Sequence, residues 1–183
     1  MNNYRFSRVD ADRRGFTLVE LMVTISLLAI LLGIGAPNLA QMLQRQAARS
    51  SAEEFVADLR LARSEAVKRG VPVKVCGLKV TSGGGGNTYD CSPAADTNWA
   101  DEGWALLNPN DTSHPIKVQQ SRMGIGTIKP VGASELTFNP SGILAGGGES
   151  HVEFTPTHYT DAVQTVCVNS VGKGRIVTGT NCS

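Results

Sequence analysis

One carboxylate stands at the front of a long apolar run. Glu20 follows Gly15-Phe16-Thr17-Leu18-Val19, and from Leu21 to Ala36 the chain carries no charge, its polar content being one threonine, one serine and two glycines. A charged side chain at a bilayer centre costs about 2.5–3.5 kcal/mol on insertion scales, so a carboxylate beside such a run is there for a reason. The second group with chemistry is the four cysteines, Cys76, Cys91, Cys167 and Cys182, which fall into two pairs of equal separation. In an oxidising compartment an even count points to disulfides, and four cysteines allow three connectivities. The local pairs, Cys76 with Cys91 and Cys167 with Cys182, are favoured because each closes a short loop, contributing roughly 3 kcal/mol in the chain-entropy model.

The remaining reactive side chains do not assemble into a catalytic pattern. There is no C-x-x-C knuckle, and His114, His151 and His158 are scattered, which argues against zinc. His114 precedes a proline, His151 leads a strand-like stretch and His158 falls in a turn, so each reads as a surface or hydrogen-bonding histidine. Ser141-Gly142 lacks the glycine frame of a nucleophile elbow. The glycines at 83–86 are followed by no Gly-Lys-Ser/Thr and open no helix, which excludes a phosphate cradle. Asp101-Glu102 reads as a solvent-facing pair, and Trp99 and Trp104 as core or loop anchors. No enzyme activity, cofactor or metal is expected.

Charge is distributed unevenly. Residues 1–15 hold Arg5, Arg8, Arg13 and Arg14 against Asp10 and Asp12, a net +2, and the rest of the chain is at −1. A basic segment before an apolar run is held on the cytoplasmic side while the chain beyond the run is exported. Residues 1–15 therefore read as a basic leader, and 16–37 as a membrane-spanning helix, about 20 residues being needed to cross.

What positions these groups is one long helix. Ala48, Ala52, Phe55, Val56, Leu59, Ala62 and Ala66 recur at steps of three and four, which continues the helix over 38–70 as an amphipathic element. Charged residues from Arg45 to Lys68, Glu54 and Asp58 among them, lie mostly off that stripe. Gly70 is a fitting C-terminal stop, with Lys68 and Arg69 in the last turn. Gly33, Gly35 and Pro37 interrupt the pattern and predict a kink or a melted turn.

Residues 71–183 alternate instead. Val71, Val73 and Val75 start a strand. Further short strands are expected at 104–107, 116–119, 136–138, 152–154, 163–168 and 175–178, and a long loop at 81–98. The fold class is α+β: a long N-terminal helix packed on an antiparallel β-sheet domain.

The stretch Gly15-Phe16-Thr17-Leu18-Val19-Glu20, with the apolar run and Pro37 behind it, resembles the signal of type IV pilins and type II secretion pseudopilins. Residues 47–76, with Gly103-Trp104, Phe138 to Gly142 and Gly174-Arg175, look like the minor pilins of the FimT/FimU kind and the minor pseudopilin H, GspH.

The resemblance implies that a prepilin peptidase cuts after Gly15 and that the new amine of Phe16 is methylated. It implies that the Glu20 carboxylate neutralises the terminal amine of a neighbouring subunit in the filament. Major and minor pilins or pseudopilins are the implied partners. Before assembly the chain is expected as a single-pass protein of the bacterial inner membrane with a periplasmic C-terminal domain, and afterwards in a pilus or pseudopilus. The function implied is that of a non-catalytic minor type IV pilin at the pilus tip or initiation complex, supporting assembly, adhesion or twitching motility. Two alternatives stand beside it: a DNA-binding minor pilin for natural transformation, with Lys173 and Arg175 as contacts and Arg122 and Lys129 as helpers, and a minor pseudopilin of type II secretion. The family's DNA-binding pattern has a second arginine soon after the first, where this chain has Ile176-Val177.

Overall fold

A computed structural model describes residues 16–83, 86–93, 98–146 and 149–182. The described residues fall into two units, one ending at Leu39 and the other beginning at Ala40. The helix α1, Leu18–Arg69, contributes to both. It ends where the sequence supplies a stop: the Gly70 N–H donates to the Ala66 carbonyl (3.0 Å), and Gly70 turns the chain at φ 66°. Of the kink or melted turn expected at Gly33, Gly35 and Pro37, the melted turn does not form, for α1 runs unbroken through all three. A helix tolerates one missing donor when the hydrogen bonds on either side hold.

In the first unit, the window that could cross a membrane has mean hydropathy 2.4 and is not buried by any of the described residues.

Among its described residues the second unit holds nine strands in two antiparallel sheets. They are β1 (Val73–Gly83), β2 (Gly86–Cys91), β3 (Trp104–Leu107), β4 (Lys117–Gln119), β5 (Ile125–Val131), β6 (Glu135–Phe138), β7 (Ser150–Pro156), β8 (Gln164–Val168) and β9 (Gly174–Thr178). One sheet runs β2-β1-β3-β4 with β6 also on β1; the other runs β5-β7-β8-β9. In the first sheet β1 is the spine. Its start pairs with β3 on one edge and β6 on the other, and its far half, Leu78 to Gly83, pairs with β2.

The fold departs from expectation in two places. Residues 81–98 do not form one long loop, because 81–83 finish β1 and Gly86–Cys91 return as β2 in a hairpin. Strand β5 has no sequence signal: Gly126, Lys129 and Pro130 break its alternation, and its register shifts between Ile125 and Thr127.

The helical stripe is buried as its spacing predicts, each of Ala48, Ala52, Phe55, Val56, Leu59, Ala62 and Ala66 being inside. It packs on Val73, Val75, Leu106 and Phe138 of one sheet and on Ile128, Val152, Phe154 and Val166 of the other. Phe55 is central, edge-on to Trp104 at 5.6 Å and tilted against Phe154 at 5.7 Å. Burying one such aromatic contributes about 1.5–3 kcal/mol. A smaller cluster, Cys76, Leu78, Ala105 and Leu107, also packs within the first sheet, with Val80, Tyr89 and Val118 beside it.

Asp58 does not stay with the exposed polar residues of the helix. It is 2% exposed, and its carboxylate accepts the Trp104 indole N–H (2.9 Å) and the Lys117 ammonium (2.6 Å). Glu54, one turn earlier, takes Arg122 at 2.9 Å. Two acids on α1 thus fasten β3, β4 and the segment after β4 to the helix. A carboxylate in the core is tolerated there because both its oxygens are paired.

Candidate assembly site

The site begins with the cap of α1. Thr17 precedes the first helical residue, and its Oγ1 accepts the backbone N–H of Glu20 (3.2 Å) while its carbonyl accepts that of Leu21 (3.1 Å). Thr-x-x-Glu is the capping-box spacing, so the threonine satisfies one of the helix's open donors. Glu20 itself lies in the first turn, where the helix dipole favours an acid. The residue at this position therefore belongs to the local structure of the helix end. A search for charge and apolar runs passes over Thr17, although its three-residue spacing from Glu20 is the signal that finds it.

Phe16 (82%), Leu18 (73%) and Val19 (68%) are exposed, and so is Glu20. The apolar side chains behind them, from Leu21 to Leu32, are more than half exposed throughout. Among the described residues this is a capped helix end with an unpaired carboxylate at the head of an uncovered apolar rod. Gly15, the expected cleavage position, lies outside the described residues, as does the side chain of Pro37. Gly33 and Gly35 have open space where a Cβ would sit.

The cysteines pair locally. Cys76–Cys91 and Cys167–Cys182 are both disulfides, each across 15 residues. The first joins β1 to the end of β2; the second ties β8 to the segment after β9.

The three histidines stay apart. His114 is exposed and its Nδ1 lies 3.2 Å from Asp111, whose Oδ1 also accepts the backbone N–H groups of Ser113 and His114. These contacts, the histidine first, hold the Asp111 carboxyl below its ordinary value. His151 lies 3.8 Å from Glu153 on β7, and the His158 backbone N–H donates to Gln44. No group of metal-ligating side chains occurs among the described residues.

The four basic candidates do not share one patch. Arg122 is engaged by Glu54. Lys129 is on β5, opposite Glu153. Arg175 is on β9, at the other edge of that sheet, and donates to the Cys182 carbonyl (2.8 Å). Lys173, in the turn before β9, is exposed and makes no side-chain pair among the described residues.

Compared with known families, residues 10–36 match the prokaryotic N-terminal methylation motif. Residues 51–172 match the family described as type II transport protein GspH.

The chain belongs to the GspH family.

Among solved structures, this GspH-family chain is similar to the type IV minor pilin FimU of Pseudomonas aeruginosa. In one crystal form the identity is 22% and the TM-score 0.53, over 74% of this chain and 99% of that one. In another the values are 23% and 0.53, over 76% and 92%. At that identity the likeness shows the fold: a long helix packed on antiparallel sheets. The minor pseudopilin EpsH of Vibrio cholerae is more distant, at 18% identity and a TM-score of 0.40, over 72% of this chain and 96% of that one. No curated protein matches the chain significantly. The motif and the family together imply processing by a prepilin peptidase, a membrane-anchored precursor and assembly with other pilins. The family's members are structural subunits and not catalysts.

Proposed function

We propose that this chain is a minor pilin, cut after Gly15, methylated on the Phe16 amine, and inserted into a type IV pilus by its apolar half. The observation that carries the reading is the meeting, at one helix end, of the methylation motif, a capped and exposed Glu20, and an apolar rod that none of the described residues covers. A new amine at Phe16 is positive, and methylation leaves it protonated. Two opposite charges desolvated together cost far less than either alone, and removing one strands the other. Glu20 thus registers one subunit on the next, while Leu21 to Ala36 join the filament core and Gly33, Gly35 and Pro37 let that half bend. The β-domain docks neighbouring subunits at the tip, in support of assembly, adhesion or twitching.

The test is incorporation. Glu20→Ala should leave the membrane pool of the protein intact and remove it from sheared filaments, and mass spectrometry of the wild-type chain should find N-methylated Phe16 at the mature terminus. Undiminished incorporation of Glu20→Ala, or a mature terminus elsewhere, overturns the reading.

A second reading is favoured by the family match over 51–172: a minor pseudopilin of type II secretion. Deleting the gene separates the two. Loss of secreted enzymes with twitching intact supports the pseudopilus; the reverse supports the pilus. The DNA reading draws support from Lys173 and Arg175, both exposed and lining one hollow, and a gel shift that finds no salt-sensitive retardation at tens of micromolar removes it.

A further inference from the structure

Gly77 is the last β1 residue in register with β3, and beyond it β1 continues with β2 alone as a hairpin. Three bonds show which way its backbone points. The Leu78 and Val80 N–H groups turn away from β2, to the Gly103 carbonyl (3.0 Å) and the Glu102 carboxylate (3.0 Å). The Tyr89 N–H turns away from β1, to the Thr112 carbonyl (2.9 Å). Val80 and Tyr89 face each other in the register, so they form a pair that exchanges no backbone bonds. That alternation repeats every two residues, which makes Ser82 and Asn87 the next such pair. The Asn87 N–H and C=O therefore point off the open side of β2, and neither has a partner among the described residues.

The loop after β3 covers that open side only in part. It is fastened beside Tyr89 by the Thr112 bond and by the bridge between Asn108 and Asp111. Asp111 Oδ1 also accepts the backbone N–H groups of Ser113 (3.1 Å) and His114 (3.2 Å). Between loop and hairpin lies a hollow of about 700 Å³, lined by Thr81, Asn87, Thr88, Tyr89, Ser113 and His114 with glycines of the hairpin. Its size falls within the roughly 300–1,000 Å³ of small-ligand clefts.

The wall is polar and uncharged in character. Its described residues include no lysine, arginine, aspartate, glutamate or aliphatic side chain. The charges nearby are matched among themselves: Lys79 and Asp90 are opposite one another a step along the hairpin, and Asp111 is turned to His114 Nδ1 at 3.2 Å. The His114 ring is exposed, and Nε2 is its free nitrogen among the described residues.

This composition selects a ligand class. An anion meets no cation in the wall, a cation meets no carboxylate, and an apolar group finds no aliphatic surface to bury against. Hydroxyls, an amide, an imidazole and an open backbone N–H and C=O suit a ligand dense in hydroxyls, each of which both donates and accepts. A peptide strand added along β2 is blocked at Tyr89, where the Thr112 carbonyl already holds the next edge position.

We propose that the hollow between the β1–β2 hairpin and the Ser113–His114 loop binds a neutral carbohydrate. The Asn87 backbone N–H and C=O and His114 Nε2 are its principal contacts, and the Thr88 and Ser113 hydroxyls complete the set. The sugar site rests on the subunit reading only for its use, which is to give adhesion a ligand class.

The experiment applies the full chain, in a polyoxyethylene detergent that carries no sugar, to an array printed with neutral, sialylated and sulfated glycans. Binding to neutral glycans, displaced by the same free sugar, is expected. His114→Ala and Thr88→Val should each weaken it about three- to ten-fold, the loss of one hydrogen bond. Asn87→Pro removes the outward N–H at a position where an edge strand tolerates proline, and should weaken binding more than Asn87→Ala, which loses only the side-chain bond to Ser82. Lys173→Ala with Arg175→Ala should leave it unchanged. Folding of each variant is read from its two intact disulfides and its thermal midpoint. No binding, binding confined to the charged glycans, or folded His114 and Asn87 variants that bind as the wild type does overturns the proposal. Filament incorporation is scored separately: incorporation without sugar binding removes the sugar site alone, and sugar binding without incorporation removes the subunit reading alone.

Discussion

The Trp104 indole N–H donates to the Asp58 carboxylate across 2.9 Å, joining the first residue of β3 to the buried side of α1. Lys117 occupies the other carboxylate oxygen. Replacing the aspartate by alanine leaves a buried indole donor without its partner and a partly buried ammonium with only the Glu54 carboxylate, 4.0 Å away. Because Lys117 is 32% exposed and can reach water, the expected cost is about 2–4 kcal/mol, below the full penalty for a wholly buried pair. Asp58→Ala should therefore lower the urea midpoint of the domain markedly. Trp104→Phe, which leaves the Lys117 contact intact, should lower it less than Trp104→Ala.

The two disulfides close loops of equal length, so the chain-entropy argument assigns each about 3 kcal/mol. Their exposure differs: Cys76 is fully buried, whereas Cys167 and Cys182 are both part-exposed. Graded reduction under native conditions should open Cys167–Cys182 first, read by alkylation and peptide mapping. Serine pairs at either site should give similar losses in thermal midpoint.

Gly103 permits both a backbone turn at φ 87° and a close approach, since a Cβ there would sit 2.0 Å from the Gln119 carbonyl oxygen. Gly103→Ala forces β3 and β4 apart, and the chain should not accumulate as a folded, doubly bridged species. Gly146 has a similar φ of 93° with open space around it. Gly146→Ala should cost only the backbone strain, about 1–2 kcal/mol. The two variants, compared by thermal melting, separate crowding from strain.

Glu65 sits below its ordinary carboxyl value of 4.5, chiefly because it accepts a hydrogen bond from Arg69. A carboxyl depressed in the folded state stabilises fully above its unfolded value and loses that contribution as the pH falls through the folded one. The last turn of α1 should accordingly weaken below about pH 4.5. Helix amides near Arg69 should then exchange faster in the wild type, and Glu65→Gln should flatten that pH dependence.

Much of this architecture is legible in the sequence because periodicity reports burial. The stripe from Ala48 to Ala66 announces both the helix and its inward face, and Gly70 announces its end. Asp58 is not legible: the i, i+3, i+4 rule marks an acid as outward, and only the tertiary position of Trp104 and Lys117 makes an inward acid tolerable. Strand β5 escapes because its pairing with β7 overrides the glycines and proline in it. The hairpin tip at Gly83 and Gly86 escapes because a run of glycines reads as a loop whether or not its flanks pair. At the helix start Glu20 is found from the apolar run alone, whereas its neighbour Thr17 needs the cap geometry to show its part.

The spine position of β1 has a consequence for how the chain matures. Synthesis delivers β1 early, but its first residues find β3 only after residue 104 and β6 only after residue 135. A nascent domain halted between those points keeps one edge of β1 open, with the helical stripe half covered. The Cys76–Cys91 bridge needs no residue beyond 91, so oxidation can pin β1 and β2 together while the partner for the other half of that edge is still being made. In a cell lacking its disulfide-forming catalyst, the open edge would be the place where misassembly starts.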